Sequence, residues 1–157
     1  MSDFDAFDGI EDVDTGNVRN PYLKPGLYRL IVEEVSFFPS SKTNSREKFT
    51  CVEATIQHTT NGDFFPGQRV TWMQKMSLDS AVSNVKKFAL ALNPEATDRD
   101  ITKEVIKQLC GPQQPARGII VDADAYEITT KKTGSPFTVV NWRAATGEWS
   151  HQLSESA

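Results

Sequence analysis

Cysteine and histidine are scarce: the 157 residues hold only Cys51, Cys110, His58 and His151. The two cysteines lie far apart without metal-ligand spacing, so neither a zinc site nor a disulfide is expected, and the chain reads as cytoplasmic and reduced. There is no His-Glu-x-x-His, no Gly-rich phosphate loop and no nucleophile elbow, so the residue patterns of common hydrolases and nucleotide-dependent enzymes are missing. No catalytic role and no cofactor are therefore expected. Long apolar runs are also missing. Leu30–Val32 and Phe88–Leu92 are far shorter than the ~20 residues that cross a bilayer, and the N-terminus is acidic where a secretory leader would be basic.

What the sequence does have is an uneven distribution of charge. The formal net charge is -4, yet residues 1–16 contain Asp3, Asp5, Asp8, Glu11, Asp12 and Asp14 and no base. The remainder has 15 acids against 17 bases and is weakly cationic. Attraction to phosphate depends on local basic surface, so the acidic whole-chain balance does not exclude a nucleic-acid partner. Residues 1–20, with Phe4, Phe7 and Ile10 among the acids, have too few apolar positions to fold alone and read as a flexible tail.

Residues 21–145 read as one domain. Leu27–Phe38 is rich in β-branched and aromatic residues and predicts a long, bent first strand. Lys48–Thr60 predicts a second, with Val52, Ala54 and Ile56 on one face and Phe49, Cys51, Glu53, Thr55 and Gln57 on the other. Gln68–Met76 predicts a third, with Val70, Trp72 and Gln74 opposite Arg69, Thr71, Met73 and Lys75. The period then changes. Leu78, Ala81, Val82, Val85, Phe88, Ala89 and Leu92 recur at helical steps, with Ser77 or Asp79 as the cap and Asn93-Pro94 as the stop. A shorter helix is expected over 98–109, capped by Thr97 and ended by Gly111-Pro112. Residues 118–129 and 136–145 predict a hairpin, and residues 146–157 a frayed end from which Trp149 can pack back onto the body.

Three strands, two helices and two strands match the five-stranded OB-fold, a Greek-key barrel with helical structure between strands three and four. An α+β sandwich is the alternative. Two hairpin tips resemble each other: Ser41–Phe49 joins strands one and two, and Thr130–Phe137 joins strands four and five. Both are polar, basic and closed by a phenylalanine. In an OB barrel these loops flank the groove beside strands two and three. Cations that follow phosphates and flat rings on which bases stack are what a single-stranded nucleic acid requires.

Lys42, Arg46, Lys48, Arg69, Lys75, Lys131, Lys132 and Arg143 are the candidate phosphate contacts, and Phe49 and Phe137 the candidate base platforms. Trp72 is either the core anchor of strand three or, with the faces inverted, a further platform. Burial is the default for Phe37, Phe38, Tyr126 and Trp142. Asp122 and Asp124 alternate on one strand face. Carboxylate pairs hold metals in nucleases, but solvent-facing acids opposite bases are the simpler expectation.

Leu23–Val32, with its Pro-Gly-x-Tyr strand start, the Ser-Lys-Thr-Asn loop and the strand from Phe49 to Ile56 resemble the opening of bacteriophage single-stranded-DNA-binding proteins of the OB-fold type. The resemblance implies a protein that coats single strands in replication and recombination and recruits replication or recombination proteins through an acidic tail. Here that tail leads the chain, whereas the family carries it at the C-terminus. The rival expectations are an OB-like protein-interaction module with the tail as a DNA mimic, and a metal-dependent nuclease using Asp122 and Asp124. Homo-oligomerisation is left open.

Overall fold

The computed structural model describes residues 20–39, 47–129, 134 and 136–149. Among the described residues the fold is mainly β, with one five-stranded antiparallel sheet and two α-helices. The elements are β1 (Gly26–Pro39), β2 (Lys48–Thr59), β3 (Arg69–Lys75), α1 (Ala81–Leu92), α2 (Lys103–Leu109), β4 (Ile120–Thr129) and β5 (Pro136–Ala144). The sheet order is β3-β2-β1-β4-β5.

β1 is central because both of its edges are paired. Gly26–Ile31 pairs with β4, and Tyr28–Pro39 pairs with β2. Register shifts at Arg29/Leu30 and Val32/Glu34 insert extra residues, which bend a strand and increase its twist. Gly26 enters the strand at φ +149, where a side chain would be strained and its Cβ would lie 3.1 Å from that of Asn61. Beyond the end of β4, the open edge of β1 is met by the connection from α2. Gly118 N–H donates to Val32 O, and Val32 N–H donates to Ile119 O. The Gln114 side chain then acts as a strand substitute. Its amide donates to Val35 O at 2.9 Å and its oxygen accepts from Val35 N–H at 2.7 Å. Gln114 does this from a left-handed φ of 47, which a non-glycine residue adopts only when its contacts require it.

The predicted strand faces are found. Val52, Ala54, Ile56, Val70 and Trp72 point into the core with Tyr28, Leu30, Val32, Val121, Ala123 and Trp142. Phe88 of α1 fills the space between β3 and β5. Its ring meets Trp142 edge-on at 4.8 Å and Trp72 at 6.1 Å, and the two tryptophans meet edge-on at 5.2 Å.

Four expectations need correction. The first helix starts at Ala81 with Ser80 as its cap, so Leu78 lies before it, and Val82 faces solvent. The second splits in two. A 3-10 turn at Asp98–Asp100, closed by a Thr97/Asp100 capping box, precedes α2, whose cap Thr102 accepts from Val105 N–H. Phe37 and Tyr126 are 49% and 39% exposed, because Phe37 lies beyond the part of β1 that β4 pairs with and Tyr126 lies where β4–β5 continues past β1 as a two-stranded arm. Of the residues after β5, 145–149 are described; they are tied down where fraying was expected, with Trp149 packed back onto the body as expected. Arg29 donates to the carbonyls of Thr146 and Gly147, and Trp149 stacks on His58 at 5.6 Å. At the other end, Thr71 N–H donates to Pro21 O and Leu23 N–H to Thr71 O, so Pro21–Leu23 lies along the free edge of β3.

Candidate functional site

The outer face of β2 and β3 is built by direct register. Phe49 lies opposite Lys75, Cys51 opposite Met73, Glu53 opposite Thr71 and Thr55 opposite Arg69. The middle of this face is closed by its own hydrogen bonds. Thr71 Oγ1 and Asn20 Nδ2 both donate to Glu53 Oε2, at 2.7 and 2.8 Å. Cys51 is buried beside Glu53, and burial, reinforced by that carboxylate, pushes its thiol up to about 12. The thiol therefore stays protonated and unreactive at neutral pH.

The Phe49–Lys75 end of the face is open. A cleft of about 360 Å³ lies there between the edges of β3 and β5, with Tyr22, Phe49, Trp72, Lys75, Phe137 and Val139 in its lining. Phe49 is half-buried and leans on Phe38, with ring centroids 6.1 Å apart. Phe137 is exposed and pairs across the β4–β5 arm with Ile128. Tyr126 shares that arm's outer face, so the far side of the cleft continues into an apolar surface. Lys75 holds Glu47 at 3.8 Å with half its side chain exposed. Such a surface pair is worth about 0–1 kcal/mol and can readily be exchanged for a phosphate.

Phe49, Trp72, Lys75 and Phe137 therefore come together from among the sequence-predicted residues. Trp72 does so as the core anchor of β3. It is 8% exposed and its ring is engaged by Phe88 and Trp142, so the platform alternative falls away and it serves as the cleft's floor. Lys48 is exposed at the start of β2, next to Phe49 but outside the lining. Arg69 lies at the opposite end of β3, where it pairs with Glu33 at 3.3 Å. Arg143 lies towards the opposite end of β5 from Phe137, in register with Asp122. Neither arginine reaches the cleft. Lys42, Arg46, Lys131 and Lys132 fall outside the described residues. The strand ends that carry their loops are described, and these border the cleft through Phe49 and Phe137.

Sequence reasoning missed Tyr22, though it placed Met73 on the face of β3 that carries Lys75. Tyr22 is half-exposed, lines the cleft and contacts Met73 Sδ at 3.9 Å through its hydroxyl. Only the pairing of Pro21–Leu23 with β3 brings it there. The carboxylate pair on β4 also differs from expectation. Asp122 is buried, not solvent-facing, and both of its oxygens accept from Arg29, at 2.8 and 3.0 Å. Among the described residues no group of three or more histidine, cysteine or acidic side chains is arranged to hold a metal ion. No helix among them is long and apolar enough to cross a membrane. No protein-family model matches the chain, and no curated protein matches it significantly.

Proposed function

We propose that the chain is a non-enzymatic binder of single-stranded DNA, largely indifferent to sequence, built on an OB-type Greek-key barrel and acting in DNA replication or recombination. One observation carries the reading. Phe49 and Phe137, at the mouths of two basic loops distant in sequence, line one cleft together with Lys75. Flat rings beside a cation are what unpaired bases and their phosphates engage, and stacking on rings accepts any base, without base-specific readout. The strand order supports the barrel. An OB-fold opened between its third and fifth strands has the order β3-β2-β1-β4-β5, and its ligand face is that of strands two and three between the two loops. The buried Arg29–Asp122 pair counts against the nuclease alternative, since a carboxylate held by a guanidinium at both oxygens is not presented to a metal.

Fluorescence anisotropy with matched single- and double-stranded oligonucleotides across a salt series tests the proposal. Expected is a preference for the single strand and a log-log salt slope of about -0.7 per phosphate contacted. Equal affinity for both forms, or no binding at low salt, would overturn it.

A further inference from the structure

A second depression lies away from the cleft, between α1, α2 and the ends of β1–β3. It has a volume of about 580 Å³, and its floor is apolar, with Phe37, Val82 and Ile106 among the lining residues. Lys86, Lys103 and Lys107 also line it. Val82 is 71% exposed and Phe37 49%, a large apolar area to leave to water on a domain of this size. The lysines set the charge of any occupant. Lys107 reaches Glu104 at 3.8 Å across the exposed surface of α2, and no acid faces Lys86 or Lys103 among the ion pairs of the described residues. An apolar floor with a basic rim fits a peptide that alternates bulky apolar and acidic side chains.

The chain contains such a peptide. Residues 3–14 carry six acids and no base, with Phe4, Phe7, Ile10 and Val13 one at every third position. Four apolar residues are too few to fold alone, but they suffice to fill a groove. Reach is not limiting: Phe7 precedes Asn20 by 13 residues, which span up to about 45 Å when extended, against a radius of gyration of about 14 Å for a domain of this size. Asn20 itself is fixed to Glu53.

We propose that this groove is the seat of the chain's own residues 3–14, with Phe4 and Phe7 over Val82 and Ile106 and the acids opposite Lys86, Lys103 and Lys107. The proposal is independent of what the cleft binds.

Cys110 lines the groove and is partly exposed, so it reports on occupancy in the unaltered chain, while Cys51, buried on the far side of the sheet, reports that the fold is intact. Iodoacetamide labelling is followed peptide by peptide by mass spectrometry at one pH and low salt. The double variant Phe4→Ser/Phe7→Ser is expected to label Cys110 about tenfold faster than the unaltered chain. Lys103→Glu/Lys107→Glu, with Cys51 still unlabelled, is expected to do the same. In the unaltered chain, protection should weaken in 0.5 M salt, as screening of exposed charges requires, and should not change with protein concentration. Equal labelling in all three chains would overturn the proposal. So would protection that grows with protein concentration, which would give the groove to a second copy's segment.

Discussion

Arg29 and Asp122 form a bidentate ion pair across β1 and β4, at 2.8 and 3.0 Å, with both side chains almost fully buried. The hydrogen bonds it donates to Asp122 hold the guanidinium more firmly protonated than usual. Two further Arg29 hydrogen bonds go to the carbonyls of Thr146 and Gly147, and its guanidinium lies 5.9 Å from the Trp149 ring centroid, so a single guanidinium joins the sheet to the chain's last described segment. Removing one partner of a buried pair leaves the other charged and desolvated, at a cost of about 3–5 kcal/mol. Asp122→Ala is expected to lower unfolding free energy in urea by that amount. It should also raise proteolytic cleavage after residue 144, because Arg29 loses the partner that orients it towards Thr146 and Gly147.

Gln114 offers a second stability test. Replacing it with leucine keeps the bulk but leaves Val35 N–H and C=O without partners at a buried position. Each unmatched group costs about 1–3 kcal/mol, so Gln114→Leu is expected to destabilise by several kcal/mol in chemical denaturation. Gln114→Gly would lose the same bonds but relieve the left-handed backbone.

Stability should decline in alkali. Burial raises the Cys51 thiol to about 12 from its ordinary 9.0, and the Tyr28 phenol to about 12 from 10.0. The folded state therefore keeps protons that the unfolded state has already released. The stabilisation is fully present below pH ~9 and is lost as pH rises towards 12. Thermal melts between pH 8 and 11 should show a falling midpoint, and Cys51→Ala should flatten the lower part of that fall.

For the cleft, Phe49→Ala and Phe137→Ala should each weaken binding to oligothymidylate by about 1–3 kcal/mol, roughly five- to 150-fold. Lys75→Ala should reduce the salt slope by about 0.7. Arg143→Ala and Arg69→Ala should leave the slope unchanged, since both lie away from the cleft. Anisotropy titrations on these five chains distinguish a localised trough from general cationic attraction.

The features legible in the sequence are those set by local alternation. Val52, Ala54 and Ile56 declare the inner face of β2, and Val70 and Trp72 that of β3, because a strand's side chains must alternate. The break before α2 is not legible. Ile101, Val105 and Leu109 keep a four-residue spacing straight through a turn that the Thr97/Asp100 box closes and Thr102 restarts, and spacing does not record a change of direction. Tyr126 and Ile128 have core composition, yet β1 pairs with β4 only as far as Ala125, so beyond that point no neighbouring strand covers them. Half of the site is legible for the same reason. Phe49 and Phe137 stand out by position next to basic loops, whereas Tyr22 in the cleft, like Gln114 and the Arg29–Asp122 pair outside it, depends on contacts between distant segments that leave no local pattern.

The pairing of Pro21–Leu23 with β3 governs how the molecule avoids its own kind. β3 ends the sheet, and its main-chain donors and acceptors around Thr71 would otherwise be offered to any extended strand. Truncating the chain past Leu23 would bare that border and remove one core side chain, and such a fragment is expected to precipitate or polymerise edge to edge.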